Sequence, residues 1–328
     1  MTVRPGPGGA RAGGGRVAVV GATGCVGRHV CAAFANGGSE VVGVARRYAP
    51  HIGAHRFVPL DAAGCSAEQL AEFLAAEAVD AVVNATLGWG EELHRVNVEL
   101  VERLIGALRL LPAARRPRLV QLGTVHEYGP VPRGTPVTEL TRPAPVTEYA
   151  RAKLAASRAV LGAAGIDAVV LRMANTIGPH PAPGSFLGSL AARFAEAAAS
   201  PGGRIELTVA AGARRDYVDV RDAADAVVRA AFARPLGADQ RLFNIGTGAA
   251  RGIDTLVLAL AEACGLPASA LALRAGEVAA QGASTGTDFT CLDASRARAV
   301  LGWSPRRSPA ESMRAMAETA RRMSCAAT

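Results

Sequence analysis

The sequence predicts an α/β protein in which a doubly wound parallel sheet carries a smaller C-terminal lobe. Three observations point there. Short β-branched runs alternate with longer amphipathic stretches through the first 173 residues. The first such run, Val17-Ala18-Val19-Val20, stops on three glycines spaced three apart, Gly21, Gly24 and Gly27. After Met173 the alternation breaks.

The run 17–20 is the apolar kind that a strand covered on both faces needs. Gly21, Gly24 and Gly27 then allow a sharp turn, close ligand approach and close helix–strand packing, and the helix over 25–36 starts with backbone N–H groups whose partial charge favours a phosphate. Gly37-Gly38 breaks the chain before a second strand, 40–45, and a third, 56–60, stops at Asp61. Ser66, with Glu68 close behind, reads as a helix start, and 80–86 is the fourth strand. A long helix over 90–111 precedes the fifth strand at 118–122, a helix over 147–162 and the sixth strand at 168–173. Parallel strands joined by helical crossovers give the Rossmann arrangement. Beyond it come a Pro/Gly loop at 178–184, helices near 188–198 and 222–233, a strand at 242–245 and C-terminal helices. The division expected is a mobile tail over 1–15, a dinucleotide-binding domain over 16–173 and a substrate lobe mainly within 174–328, with about 216–246 returning to the sheet domain.

At 328 residues, half of them hydrophobic, the chain can bury a large core. Basic residues exceed acidic ones by eight, yet only one is a lysine and the arginines are scattered, with no basic block interleaved with aromatics. That pattern argues for solvated faces in a GC-biased sequence and against a nucleic-acid surface, while anionic small ligands still fit. The six cysteines (Cys25, Cys31, Cys65, Cys264, Cys291, Cys325) form no C-x-x-C pair and no His cluster has metal spacing. Free thiols in a reducing cytoplasm, no disulfide and no metal are expected. No apolar window is long enough to span a membrane, and residues 1–15 lack the apolar centre of a signal peptide.

The second strand ends Val44-Ala45-Arg46-Arg47. A carboxylate there would hold the adenosine ribose 2′-hydroxyl; two guanidiniums suit a 2′-phosphate, so NADPH or NADP is expected in preference to NAD. The alternative is a pair of loop arginines in an arginine-rich chain. Asp61 could accept from the adenine amino group or sit on a surface turn.

Chemistry enters at Tyr149-Ala-Arg-Ala-Lys153. On a helix the phenol and the ammonium lie one turn apart on one face, so Lys153 is expected to lower the phenol pKa. Such a phenol can pass a proton to a carbonyl oxygen as hydride arrives, or take one from an alcohol. Lys153 is the only lysine, and Thr124, just beyond the fifth strand, could share the substrate oxygen.

Taken together, the chain resembles the extended short-chain dehydrogenase/reductases of the nucleotide-sugar epimerase/dehydratase group from Arg16 to about Arg307. The matching pieces are Gly21-Ala-Thr-Gly24-Cys-Val-Gly27, Asn84-Ala-Thr86, Gly123-Thr-Val-His-Glu-Tyr-Gly129, Tyr149-x-x-x-Lys153, Leu171-Arg-Met-Ala-Asn-Thr-Ile-Gly-Pro179, Arg215-Asp-Tyr-Val-Asp-Val-Arg-Asp222, Phe243-Asn-Ile-Gly246 and Leu301-Gly-Trp-Ser-Pro305. The resemblance implies a catalytic set of Thr124, Tyr149 and Lys153, with Lys153 also holding the nicotinamide ribose. It implies cofactor contacts from Gly21, Thr23, Gly24, Cys25, Val26, Gly27, Ala85 and Thr86, and substrate diphosphate contacts from Asn175 and Arg215.

One departure is informative. Where 4,6-dehydratases carry an Asp-Glu pair after the catalytic hydroxyl residue, this chain has Val125 and His126, which argues against water elimination. The expected activity is NADPH-dependent reduction of a nucleotide-linked keto-deoxysugar, at C4, in secondary-metabolite sugar biosynthesis. A nucleotide-sugar epimerase is the alternative; a dinucleotide-sensing regulator and an enzyme of an unrelated ketone are further ones. His126, an imidazole expected to titrate near neutrality at the mouth of the site, could act as a base, hold a sugar hydroxyl or lie against the nicotinamide. A cytoplasmic protein, with a homodimer as a compatible assembly, completes the expectation.

Overall fold

β1 (Arg16–Val20) lies inside a seven-stranded, wholly parallel sheet together with β2 (Glu40–Ala45), β3 (Arg56–Pro59), β4 (Ala81–Asn84), β5 (Arg118–Thr124), β6 (Ala168–Met173) and a later strand, Leu242–Ile245. The order runs from the Leu242–Ile245 strand through β6, β5 and β4 to β1, β2 and β3, so the winding reverses between β1 and β4. The structure is a computed structural model that describes residues 14–50, 52–182, 184–199, 204–209, 212–276 and 289–327. Of the tail expected over 1–15, residues 1–13 lie outside the described residues.

Alternation along the strands sends side chains to opposite faces of the sheet. Val17 and Val19 of β1 enter one buried layer with Val30, Cys31 and Phe34 of α1 (Gly27–Asn36). Ala18 and Val20 enter the other with Leu70 and Leu74 of α2 (Ala67–Glu77). α2 starts on a capping box: Ser66 Oγ accepts from Gln69 N at 3.3 Å and Gln69 Oε1 accepts from Ser66 N at 2.8 Å. Its reciprocal partner is therefore Gln69, the third helical residue, while Glu68 stands in the first turn.

The helix expected over 90–111 is divided. α3 (Glu92–His94) passes through a π turn at Arg95–Glu99 into α4 (Leu100–Leu110). Asn97 explains the distortion: its Nδ2 donates to the carbonyls of Leu93 at 2.8 Å and Gly88 at 2.9 Å, competing with the regular ladder. α5 (Glu148–Leu161) is capped by Thr147, whose hydroxyl accepts from Ala150 N at 3.2 Å.

Beyond β6 a second body is built from β7 (Asn175–Ile177), α6 (Phe186–Ala199), β8 (Ile205–Val209) and β9 (Arg214–Asp219). α7 (Val220–Ala231) and β10 (Leu242–Ile245) then return to the main sheet, β10 pairing with β6 and α7 burying Ala223 and Val227 against the β1 face. Of the stretch 216–246 expected to return, the first part does not: β9 pairs with β7 and with β11 (Ala250–Gly252) in a separate three-stranded sheet. α8 (Ile253–Ala263) and β12 (Leu271–Ala275) follow, with β12 pairing with β8. α9 (Ser295–Leu301) packs on the main sheet, and α10 (Pro309–Ala327) closes a third buried cluster with α6 and α8.

Two buried carboxylates explain several of the sequence pieces quoted above. Asp216 accepts from Thr247 N and Oγ1, Gly248 N and Leu292 N, tying the small sheet to the loop after β10. Asp222 accepts from the backbone N–H of Arg306 and Arg307, and its own carbonyl takes Trp303 Nε1 at 2.9 Å. Among the described residues, Cys25, Cys31, Cys65, Cys264 and Cys291 are free, and no group of His, Cys, Asp or Glu could hold a metal ion. No helix among them is long and apolar enough to cross a membrane.

Candidate active site

The turn after β1 opens where the winding reverses. Gly21 N and Ala22 N both donate to Val44 O, at 2.9 and 3.2 Å, which sets the turn against the end of β2. Gly21 has φ +85°, and a Cβ there would lie 2.9 Å from the Ala85 carbonyl and from Thr86 N; one on Gly27 would lie 2.1 Å from Gly21 O. Only glycine permits this closeness between β1, β4 and the start of α1. Gly24, by contrast, is exposed on the outside of the turn, and no side chain caps α1. The close backbone approach of Gly21 to Ala85 and Thr86, and of Gly27 to Gly21 at the start of α1, fits a dinucleotide cradle. Thr86 is steadied by Asn84 Oδ1, which accepts from its hydroxyl at 2.6 Å.

Arg46 and Arg47 are exposed directly beyond β2. Arg46 is near enough to Glu92 to help hold that carboxyl below its usual range, after the dominant hydrogen bond from Arg95. Asp61, partly exposed beyond β3, pairs through Oδ2 with Arg95 at 3.1 Å.

Thr124 closes β5 with extended backbone and caps the short 3-10 turn at Val125–Tyr128. Tyr149 comes beside it from α5, near enough for the Thr124 hydroxyl to favour the phenolate, and Lys153 stands one turn further along the helix. Lys153 is 4% exposed, and burial pushes its pKa down to about 8 against the opposing pull of the Glu127 carboxylate. The phenol differs from the expectation: burial pushes Tyr149 up to about 12, the Thr124 hydroxyl opposes this, and Glu127 and Cys25 reinforce it. Burial outweighs the Thr124 hydroxyl, so the phenol is held protonated at neutral pH.

His126 projects beside this pair, its ring centroid 6.4 Å from that of Tyr149. It does not titrate near neutrality. Burial and then the Arg215 charge lower its pKa to about 4, partly opposed by the nearby Asn175 side chain, and its Nδ1 is buried without a partner. Asn175 donates to Asp216 O at 3.3 Å. Arg215 is hydrogen-bonded with Tyr217. His126, Asn175 and Arg215 thus form one polar wall reached from three different elements.

Residues 17–246 match the NAD dependent epimerase/dehydratase family.

The chain belongs to that family.

Membership makes it an NAD(P)-dependent enzyme. It is 40% identical over 307 residues, 91% of this chain and 93% of the other, to a dTDP-6-deoxy-L-talose 4-dehydrogenase (NAD(P)(+)) of Kitasatospora kifunensis. It is 32% identical over 217 residues to a UDP-glucose 4-epimerase of Mycolicibacterium smegmatis, spanning 63% of this chain and 64% of that one. Among solved structures, MoeE5 in complex with UDP-glucose and NAD superposes with a TM-score of 0.75 at 26% identity, covering 94% of this chain and 99% of that one. A putative epimerase from Burkholderia cenocepacia does so at 0.78 and 25%, with the same coverage.

Two side chains at the site escaped the reading of the sequence. Glu127 is fully buried, accepts from Thr124 N at 2.9 Å and pairs with Arg172. Its signal was its spacing from Thr124, a capping-box pattern. Trp89 stacks on Tyr149 with ring centroids 4.7 Å apart; its signal was a large aromatic between two glycines just past the fourth strand.

Proposed function

We propose that the protein is a 4-ketoreductase of a nucleotide-linked 6-deoxyhexose, working with NADPH, and that it belongs to deoxysugar biosynthesis of a secondary metabolite such as an antibiotic. The observation that carries this reading is the Tyr149 phenol set beside Thr124 at the end of β5, with Lys153 buried one turn further along α5. A protonated phenol there can pass its proton to a ketone oxygen as the ketone becomes an alcohol. The relative named a 6-deoxy-L-talose 4-dehydrogenase, similar over nearly its whole length, supports C4 and a 6-deoxy sugar.

When bound, the reduced nicotinamide supplies the hydride. Thr124 and Tyr149 hold the carbonyl oxygen between them, and the Tyr149 proton passes to that oxygen as the carbon gains its hydrogen, leaving a secondary alcohol. Lys153 steadies the phenolate left behind until it regains a proton from water. Arg46 and Arg47 take the 2′-phosphate of the cofactor, and Asp61 is left to the adenine edge only through its second oxygen. Asn175 and Arg215 face the substrate diphosphate, and His126, neutral and therefore a weak base, holds a sugar hydroxyl. We place the enzyme in the cytoplasm, with a homodimer as its assembly.

A nucleotide-sugar 4-epimerase is the second reading, favoured by the similarity to UDP-glucose 4-epimerase. Incubation with a thymidine-diphosphate 4-keto-6-deoxyhexose, and separately with the free keto-sugar, tests the proposal. Stoichiometric NADPH oxidation with the nucleotide sugar and little with the free sugar is expected. Equal rates on both would reject the diphosphate requirement, and no oxidation with either would reject the reductase.

A further inference from the structure

The Tyr149 phenol carries a cover. The Trp89 indole lies against it, planes 30° from parallel, yet Trp89 is 46% exposed and Leu87, two residues earlier, is 48% exposed. Two large apolar side chains left open on one loop beside the reacting hydroxyls make an apolar surface at the place where substrate must come. The loop is firmly held. Asn97, 2% exposed, grips Gly88 from both sides, donating to its carbonyl at 2.9 Å and accepting from its N–H at 3.5 Å. A Cβ on Gly88 would lie 2.4 Å from Glu92 O and 2.7 Å from Val96 Cβ, so the loop rests flush on the helix behind it. The π turn in that helix carries the residue that clamps the loop, and Trp89 follows directly.

On the reading just proposed, on which this step rests, Tyr149 and Thr124 hold the oxygen on C4. C4 is flanked by C3, which bears a hydroxyl, and by C5, which bears C6; the polar side of Tyr149, with His126, suits the hydroxyl, which leaves C5 and its substituent to the indole side. An indole face offers dispersion and no partner for a hydroxyl, and an unpaired hydroxyl is costly to bury. We infer that Trp89, with Leu87 at its rim, is the specificity-determining surface for the C6 position: it receives a methyl group and disfavours a hydroxymethyl.

The test compares oxidation of a thymidine-diphosphate 6-deoxyhexose with that of its 6-hydroxy counterpart, using NADP, in the wild type, Trp89→Phe and Trp89→Ala. The wild type is expected to prefer the deoxy sugar in kcat/KM by about tenfold or more. Trp89→Phe should keep most of that preference. Trp89→Ala should lose it through a raised KM for the deoxy sugar, with NADPH affinity little changed. Indole emission adds a readout free of turnover, because the other tryptophan, Trp303, is 1% exposed and insulated from ligands. The deoxy sugar should shift emission to the blue more than the hydroxy sugar does. A preference that survives Trp89→Ala overturns the inference and leaves the reductase standing. An emission shift confined to the deoxy sugar without any turnover would support the platform and reject the reaction, whereas neither turnover nor shift would reject both.

Discussion

The Glu127 carboxylate and the Arg172 guanidinium form an ion pair sealed beneath the catalytic strand, Oε2 to Nε 2.7 Å, with 0% and 3% of the side chains exposed. The other carboxylate oxygen accepts from Thr124 N, so the pair fixes the backbone of Thr124 at the end of β5. Arg172 also lies over the Tyr128 ring, 4.5 Å from its centroid, and Tyr128 Oη donates to Asn244 at 2.7 Å. Removing one partner of a buried pair strands the other charge. Glu127→Gln should therefore cost about 3 kcal/mol of stability by denaturant unfolding, and it should lower the Lys153 pKa further, since the carboxylate is what opposes burial there. An unchanged unfolding midpoint would remove the pair from the account.

Tyr149→Phe keeps the ring against Trp89 and deletes the proton. The expected result is a fall in kcat of roughly 10²–10⁴-fold with cofactor affinity nearly unchanged. Turnover close to wild type would move the proton donor to another group.

Lys153 gives a pH dependence with a definite sign. Its ammonium is present below about pH 8 and lost above it. NADPH affinity, measured by fluorescence titration of the free enzyme, should be flat on the acid side and weaken as pH rises from about 7 to 9.5, and Lys153→Met should abolish that step. Stability moves the other way. The folded pKa lies below that of an exposed lysine, so the unfolded chain binds more protons between about pH 8 and 10.4, and this residue's contribution to stability rises with pH across that window.

Arg46→Ala should weaken NADPH binding by about tenfold and leave NADH binding unchanged, the size being limited by solvent around an exposed guanidinium. Equal loss for both cofactors in calorimetry would assign Arg46 to the loop alone.

Most strands of the main sheet were legible because they are short apolar runs with a Gly, Asp or Pro at one end, and 168–173 and 242–245 coincide with β6 and β10. Tyr149 and Lys153 were legible because their relation is local, one turn of α5. What the sequence hid depends on distant contacts. The π turn follows from Asn97 reaching Gly88. The low pKa of His126 follows from burial and from Arg215, far along the chain on β9. Trp89 meets Tyr149 only because the loop after β4 folds against α5, a juxtaposition that no spacing along the chain encodes.

The most direct test of the central claim is a single turnover of a thymidine-diphosphate 4-keto-6-deoxyhexose with NADPH deuterated on the transferring face, read by NMR and by cofactor absorbance. The account predicts one cofactor oxidised per sugar, deuterium on the former carbonyl carbon, and no enzyme-dependent exchange with solvent at the flanking carbons. An inverted sugar formed without net oxidation of the cofactor, or solvent hydrogen entering beside the carbonyl in a manner abolished by His126→Ala, would contradict it.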